Sequence, residues 1–365
     1  MATIKSIFGT YAEKLQVMID ASNDMFAPTW FQNYFDIATP SPTLDFTTVV
    51  GRSRVEAAAS VVSRGSKSPV RSRAALEKYS GKVPAIMEKF HMDEDDVRQF
   101  LSLQAMPVSE ETKKAQILNF IFDDVKKVGD AALKRLDIMA LEAVSTGKIS
   151  LTVQNNPDGI VLANALDLLM PSGNRVNASV NWDTAASAKP ISVDIIGVVN
   201  SARERNIGFA KILMDYTSWF KFIATSDVKD MFNAYLGKSS NKLLPTLDGV
   251  NQLLTAQQLP VIEIVDHVVG IEKDGAISTI RPWETTNVAF IPAGRLGVIH
   301  NSIAIEELKP VSNVSYGKFR NLALISKWGD NDPFQEWTKV EANAIPGVSA
   351  IDGIFLLSRT AAFSS

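Results

Sequence analysis

The chain contains no cysteine and only three histidines among its 365 residues. The absence of cysteine excludes a disulfide-stabilised scaffold, a thiolate nucleophile, a zinc finger and an iron–sulfur centre. Charge of either sign is not in large excess, since 37 basic and 40 acidic residues give a net charge of −3. Such a chain is a poor general nucleic-acid binder, because that affinity depends on many Lys and Arg contacts to phosphates.

Long apolar runs are also missing, and no stretch approaches the roughly 18–20 residues that a membrane-spanning helix needs. The N-terminal segment carries charges at Lys5, Glu13 and Lys14, so it lacks the continuous apolar core of a secretory signal. We therefore expect no membrane partner. With 46% apolar and 21% charged residues, the composition is typical of a folded protein, and the length corresponds to two or three domain-sized units.

Motifs for catalysis or cofactor binding are scarce. The sequence GKSS at 237–240 resembles the end of a phosphate-binding loop, but Phe232 stands where that loop needs its first glycine, which favours a helix C-cap. WGDNDP at 328–333 lacks the later bidentate acid of a calcium loop and is interpreted as a turn. We therefore predict no catalytic, cofactor-binding or metal-binding residues and no enzymatic activity.

The clearest element is a helix predicted over residues 109–147, with Ser109 as N-cap and Gly147 as C-cap. Apolar or small residues recur at alternating steps of four and three, at Leu118, Phe122, Val125, Gly129, Ala132, Leu136, Met139 and Ala143. Roughly 38 residues span about 57 Å, as much as the ~50–55 Å diameter of a round protein of this length. The helix therefore predicts an elongated or flat molecule, with a coiled-coil dimer as the competing interpretation.

A basic, proline-interrupted segment precedes this helix. Residues 51–90 contain nine basic and three acidic residues, a net charge of +6, and HMDEDD at 91–96 follows directly. Because residues 52–73 have few large apolar side chains, we expect an extended loop, either a solvated insert or an arm that lies on an acidic partner surface. The candidate inter-subunit contact residues are Arg64, Lys67, Arg71, Arg73, Asp93, Glu94, Asp95 and Asp96.

The remaining patterns predict an α+β fold. Apolar spacing indicates an amphipathic helix over residues 4–20, and alternation at 149–153 followed by the NNPDG turn indicates a long hairpin. Residues 182–266 alternate between helices and apolar strands, with Pro190 opening one helix and Asp215, Thr217 or Ser218 able to cap another. The other predicted elements are a hairpin over 268–281 and strands at 287–294 and 354–360.

Several motifs in this order resemble the lambda-type major capsid protein E family of tailed phages. A Gly-Lys step at the end of the helix leads into alternating residues, and a Trp, a Pro and an Asp-Ile pair follow, as at Trp182, Pro190, Asp194 and Ile195. The other similar segments are STGKISLTV (145–153), ILMDYTSWFKF (212–222), LPVIEIVD (259–266), FIPAG (290–294) and NDPFQEWTKVEANAIPGV (331–348). The resemblance extends from about Pro84 to the C-terminus, and it covers residues 1–80 by architecture only.

The resemblance implies the Hong-Kong-97-type phage capsid fold. In this fold a long spine helix supports a peripheral domain, an extended loop reaches a neighbouring subunit, and an axial α/β domain lines the capsomer centre. The implied division is an N-terminal arm over 1–35, the extended loop over 36–90, the peripheral domain over 91–180, the axial domain over 181–290 and return strands over 291–365.

The resemblance also implies a structural function. The protein is expected to self-assemble into hexamers and pentamers of an icosahedral head that encloses double-stranded DNA. Expected partners are further copies of the chain, a scaffold, a portal, decoration or head-completion proteins, and packaged DNA through weak, non-specific contacts. The expected location is the virion, after assembly in the host cytoplasm. Two alternatives remain open at this point: an encapsulin-like nanocompartment shell, and a soluble α/β enzyme with a mobile basic lid.

Overall fold

The structure is a computed structural model, and it describes residues 3–4, 15–21, 28–50, 77–105, 110–238, 243–273 and 275–363. Helices and strands alternate along the chain, which confirms the predicted α+β class. The chain divides into two compact units. The first comprises Met1–Phe46, Ser80–Asp137 and Val298–Gly347, and the second comprises Thr47–Tyr79, Ile138–Gly297 and Val348–Ser365.

The helices are α1 (Leu15–Ala21), α2 (Phe31–Tyr34), α3 (Glu94–Ala105), α4 (Glu110–Thr146), α5 (Ile196–Glu204), α6 (Tyr216–Ala224), α7 (Ser226–Tyr235), α8 (Leu247–Ala256) and α9 (Ile305–Leu308). The strands are β1 (Thr3–Ile4), β2 (Phe35–Ile37), β3 (Asp45–Val50), β4 (Glu77–Lys82), β5 (Ala85–Met92), β6 (Lys148–Ile149), β7 (Leu166–Asp167), β8 (Arg175–Asn177), β9 (Lys211–Met214), β10 (Val261–Ile264), β11 (Val269–Lys273), β12 (Ala276–Ile280), β13 (Asn287–Ile291), β14 (Gly297–Ser302), β15 (Ser315–Phe319), β16 (Ala323–Asn331), β17 (Phe334–Gly347) and β18 (Phe355–Ser358). A π-helical turn at Pro190–Ile195 leads into α5.

The first unit is built on a seven-stranded sheet in the order β1-β16-β17-β14-β2, in which β15 also pairs with β16 and β5 also pairs with β17. The central pair, β16 and β17, is antiparallel and is joined by a two-residue turn at Asp332 and Pro333. Of the residues 328–333 that were interpreted as a turn, only Asp332 and Pro333 form it, and the preceding four belong to β16. The long strand β17 pairs with β16 over residues 334–341, with β5 over 336–343 and with β14 over 343–347, and its C-terminal half is buried throughout.

The second unit contains a five-stranded sheet in the order β10-β9-β13-β18-β8. Strand β13 lies between two neighbours, and all five of its residues are buried, as expected for a central strand with a continuous apolar run. Helices α5 to α8 supply most of the remaining core, which includes Trp182, Ile191, Ile195, Val198, Trp219, Phe222, Phe232, Val250, Leu253, Phe290 and Phe355. Each such side chain contributes roughly 1.5–3 kcal/mol through burial, so this unit has a substantial core of its own.

Helix α4 matches the predicted helix to within one residue at each end. The predicted apolar stripe is buried within the chain at every position whose side chain is described, which are Val125, Gly129, Ala132, Leu136, Met139 and Ala143. A stripe that is already buried inside one chain cannot form a dimer seam, so the coiled-coil alternative is wrong. The helix ends at Gly147, whose amide donates to the carbonyl of Ala143 at 3.0 Å.

Gly147 occupies the left-handed region, with φ of +73°, and a Cβ there would lie 3.2 Å from atoms of Met170. We expect Gly147→Ala to destabilise the second unit by about 1–3 kcal/mol, because both the backbone and Met170 would be strained. Gly197 is the matched control: it lies inside α5, and a Cβ added there would have no neighbouring atom within 4 Å. Gly197→Ala should stabilise by about 0.4–1 kcal/mol. Urea unfolding measures the change in the free energy of unfolding for each of the two variants. Equal changes would contradict the assignment of Gly147 as a left-handed cap.

Two predicted elements need correction. The predicted helix over 4–20 is described only as α1, from Leu15, and Thr3–Ile4 is a strand that pairs with Asp330 and Gly329 of β16. The predicted strand at 149–153 is reduced to β6, which makes a two-residue ladder with β7. In each case pairing or loop hydrogen bonds between residues distant in sequence override the local apolar pattern.

Candidate functional site

The acidic run at 93–96 begins α3 and caps it. The Asp96 amide donates to Oδ1 of Asp93 at 3.0 Å, and the Asp93 amide donates to Oδ2 of Asp96 at 3.3 Å. This reciprocal pair satisfies two backbone donors that a helix start leaves unpaired, and the negative charges are favourable beside the helix dipole. Glu94 accepts from Nε of Arg98 at 3.1 Å, and Asp95 is exposed. Asp93 and Asp96 therefore have a local structural role, and Asp93, Glu94 and Asp95 are all exposed to solvent.

The four basic candidates, Arg64, Lys67, Arg71 and Arg73, lie outside the described residues. The strands that flank this segment in the sequence, β3 and β4, pair as a two-stranded ribbon. Two further hydrogen bonds hold this ribbon. The Val83 amide donates to the Leu44 carbonyl at 2.7 Å, and the Val348 amide donates to the Tyr79 hydroxyl at 2.7 Å. The chain thus enters and leaves residues 51–76 from one anchored stem.

A buried charged cluster, which the sequence analysis missed, lies in the first unit. Lys327 of β16 is 1% exposed, and its Nζ donates to Oγ1 of Thr338 at 2.8 Å. Burial lowers the pKa of Lys327, while the charges of Asp124 and Glu336 oppose that shift. Burial likewise raises the pKa of Asp124, and the charge of Lys327 counteracts it. The cluster joins α4 to β16 and β17, so its arrangement fits a structural ion network.

The three histidines are separate from one another and from this cluster. His91 packs against Trp337 with ring centroids 5.1 Å apart, and His300 packs against Phe46 at the same separation. Burial lowers the pKa of His300. His267 is half-buried after β10. These contacts are packing interactions, and they support the interpretation that the histidines are surface or core residues.

No arrangement typical of an enzyme site emerges in the part of the chain that the structure describes. A concavity of about 280 Å³, including open solvent at its mouth, is lined by residues such as Pro40, Asn301 and Leu322. Its enclosed part measures only about 10 Å³, enough for about one water molecule and far too small for an organic ligand. Within the described ranges, no three His, Asp or Glu side chains are grouped to hold a metal ion. None of the described helices has the length and apolarity needed to cross a bilayer.

Comparison with protein families gives one match to this chain. The family described as phage major capsid protein E matches residues 15–357, which is nearly the whole chain. No curated protein sequence matches it. The matched range contains both the acidic run and the ribbon that flanks the basic segment.

Two solved structures share the fold at low sequence identity. A protein assigned as the capsid protein of a prophage of Escherichia coli CFT073 is 13% identical, with 98% of this chain and 99% of that chain covered and a TM-score of 0.58. A phage-related protein from Bordetella bronchiseptica RB50 is 9% identical, with complete coverage of both chains and a TM-score of 0.50. At these identities the agreement concerns the fold, and it extends over the full length of the chain.

Proposed function

The chain belongs to the phage major capsid protein E family, and from this premise we propose a detailed role in the phage head. It has the Hong-Kong-97-type capsid fold, and it is a structural protein that self-associates into the icosahedral shell of the virion. The family match over residues 15–357 is the observation that carries this conclusion. The nanocompartment and enzyme alternatives are not favoured, because the match is specifically to phage major capsid proteins.

We propose that copies of the chain form hexamers and pentamers that enclose double-stranded DNA. Head-to-tail contacts between identical subunits close into rings when the rotation allows it, which is how a single chain supplies both capsomers. The net charge of −3 supports weak, non-specific contact with the packaged DNA, since tight binding requires many phosphate contacts. Assembly would take place in the host cytoplasm with a scaffold and a portal, and decoration or head-completion proteins would join the shell.

We further propose that the first compact unit, with its seven-stranded sheet, corresponds to the peripheral domain, and the second, with its five-stranded sheet, to the axial domain. Within the segment 36–90, β2 and most of β5 belong to the seven-stranded sheet, and the part from β3 to β4 would be the extended loop that reaches a neighbouring subunit. Its β3–β4 stem, anchored through Val83 and Tyr79, supports this assignment because a firm base is needed to aim a long loop. The role is structural throughout, and we propose that the chain has no catalytic activity.

The proposed inter-subunit contact joins Arg64, Lys67, Arg71 and Arg73 of one copy to the acidic start of α3 in another. Asp93 and Asp96 bind each other's backbone and Glu94 pairs with Arg98, so arginines of a neighbouring copy would have to compete with these local contacts. Exposed ion pairs contribute only about 0–1 kcal/mol each. Their main effect would therefore be on subunit register and encounter rate, while apolar burial supplies the adhesion.

Purified protein, observed by gel filtration and negative-stain microscopy, tests the proposal. We expect rings or closed shells from the chain alone or after co-expression with the other head proteins. Nuclease-protected DNA in particles from infected or induced cells distinguishes a phage head from a compartment loaded with an enzyme. A protein that stays monomeric at every concentration, with or without its head partners, would contradict the assignment.

A further inference from the structure

Helix α9 has the reverse of the polarity that a surface helix normally shows. Its two apolar residues, Ile305 and Leu308, are 63% and 58% exposed, and Val311 just beyond the helix is 52% exposed. The two acidic residues between them, Glu306 and Glu307, are the half-buried ones. Residues spaced three apart share a helix face, so α9 turns its apolar face to solvent and its carboxylates inward.

Ion pairs to two strands hold the carboxylates in this orientation. Oε1 of Glu306 lies 3.1 Å from Nζ of Lys339 on β17, and Glu307 pairs with Lys318 on β15. Lys339 also pairs with Glu341 at 2.6 Å. Burial by itself lowers the pKa of Lys339, but the hydrogen bonds and charges of Glu341 and Glu306 outweigh it, and the net shift is upward. Lys339 is therefore a firmly charged anchor for the helix.

The backbone around α9 is also fixed on both sides. The Ile303 amide donates to the Ser41 carbonyl at 2.9 Å, and the Val311 amide donates to the Tyr316 hydroxyl at 3.1 Å. A rotation that buried Ile305 and Leu308 would break these hydrogen bonds and both ion pairs. The structure thus holds the apolar face in the exposed position, and no polar residue of α9 shares that face with it.

We propose that this α9 surface, defined as Ile305, Leu308 and Val311, is a contact made with a second copy of the chain in the shell. The inference rests on the proposed function and extends it to a surface outside the predicted loop-to-helix contact. A second copy is the occupant that self-association necessarily brings against the protein, in stoichiometric amount. Exposed apolar side chains gathered in one ordered segment are typical of such interfaces, and the exposed Lys309 beside them would lie at the polar rim.

The charge of the α9 surface argues for a protein partner and against DNA. Both carboxylates of the helix are compensated by lysines behind it, so the outward face presents no array of cations to phosphates. The chain also carries a surface of matching character. The loop between β6 and β7 has Asp158 as its only charge over 150–165 and exposes Val153, Ile160, Val161 and Leu162. An apolar loop of this kind on a neighbouring copy is a surface that fits α9.

The test combines assembly and labelling. The variant Ile305→Ser/Leu308→Ser should remain folded, with an unchanged unfolding midpoint, and its particle yield should fall about tenfold or more, as expected when apolar anchors are lost from an interface. Ile277→Ser is the matched control, because Ile277 is a 71% exposed isoleucine on the β11–β12 hairpin. It should assemble with wild-type yield.

A single Leu308→Cys variant gives a second measurement without background, since the chain has no other cysteine. A maleimide reagent should label it rapidly in dissociated protomers and about tenfold or more slowly in shells. Equal labelling rates, or normal assembly of the double variant, would overturn the α9 contact while leaving the capsid function intact. Slow labelling in protomers would also overturn it, because the chain itself would then cover the surface. A wild-type protein that never assembles would overturn both the α9 contact and the proposed capsid function.

Discussion

Replacement of Lys327 by alanine is expected to lower the free energy of unfolding by about 3–5 kcal/mol, the cost of breaking a buried charged cluster from one side. Lys327 is 1% exposed and supplies the positive charge between Asp124 and Glu336. Without it, the buried carboxylate of Glu336 and the half-buried carboxylate of Asp124 must either remain charged without that compensation or take up protons. The Thr338 hydroxyl also loses the donor that lies 2.8 Å away.

A recovery of stability is expected when all three charged residues of the cluster are made neutral together. Lys327→Met combined with Asp124→Asn and Glu336→Gln removes the charges together and fills much of the lysine's volume. Because burial outweighs the mutual attraction in the pKa of both Lys327 and Asp124, the charged cluster is costly to maintain. The triple variant should therefore recover most of the stability that Lys327→Ala loses.

Urea unfolding of wild type, Lys327→Ala and the triple variant separates these contributions. A loss below about 1 kcal/mol for Lys327→Ala would show that water or a rearranged side chain replaces the ammonium group. A triple variant as unstable as the alanine variant would indicate that shape, and not uncompensated charge, dominates at this position. Assembly measured in parallel shows whether the cluster also matters for the shell.

The sequence predicted the parts of the fold that have strong local patterns. Helix α4, a cap for α6 among Asp215, Thr217 and Ser218, and the strands β9, β10, β13 and β18 follow from apolar spacing or from capping chemistry. In α6 the Asp215 carboxylate accepts from the amides of Thr217 and Ser218 at 3.0 and 2.9 Å, as the cap requires. These features depend on residues close together in the chain, so the sequence contains the necessary information.

The long strands β16 and β17 were not predicted, because their burial does not follow polarity. Lys327, Glu336, Glu341 and Asn343 are all buried in them, and contacts within and between strands, such as Lys339 to Glu341 and Lys327 to Thr338, accompany that burial. Pairing of β17 with β14 and β5, which are distant in sequence, decides which of its residues are covered. A periodicity of apolar residues cannot report such pairings.

The candidate contact surfaces likewise include one part that the sequence could predict and one part that it could not. The D-x-x-D spacing of Asp93 and Asp96 before an apolar residue is a recognisable capping box, so the local role of the acidic run was available from the sequence. The reversed polarity of α9 could not be predicted from the sequence. The sequence IEEL favours an inward apolar face, and only the positions of Lys318 and Lys339 on two strands show that the glutamates turn inward.

Deletion of residues 60–72 is expected to abolish shell formation and to leave the protomer folded. The deletion removes 13 of the 26 residues between β3 and β4, and with them Arg64, Lys67 and Arg71. The remaining 13 residues are long enough to rejoin two adjacent strands, and the Tyr79 and Val83 contacts that anchor the stem are untouched. Unfolding should therefore be unchanged within about 0.5 kcal/mol, while particles disappear from micrographs.

A charge-neutral variant identifies what the segment contributes. Arg64→Gln/Lys67→Gln/Arg71→Gln keeps the length and removes the same three charges. If the charges mainly steer subunits and set register, this variant should still form shells, but more slowly and with a weaker dependence of the assembly rate on salt. If it fails as completely as the deletion, the ion pairs themselves supply the adhesion, contrary to the small contribution expected of exposed pairs. A deletion variant that unfolds readily would instead indicate that residues 60–72 belong to the core of the protomer. That result would contradict the extended-loop assignment.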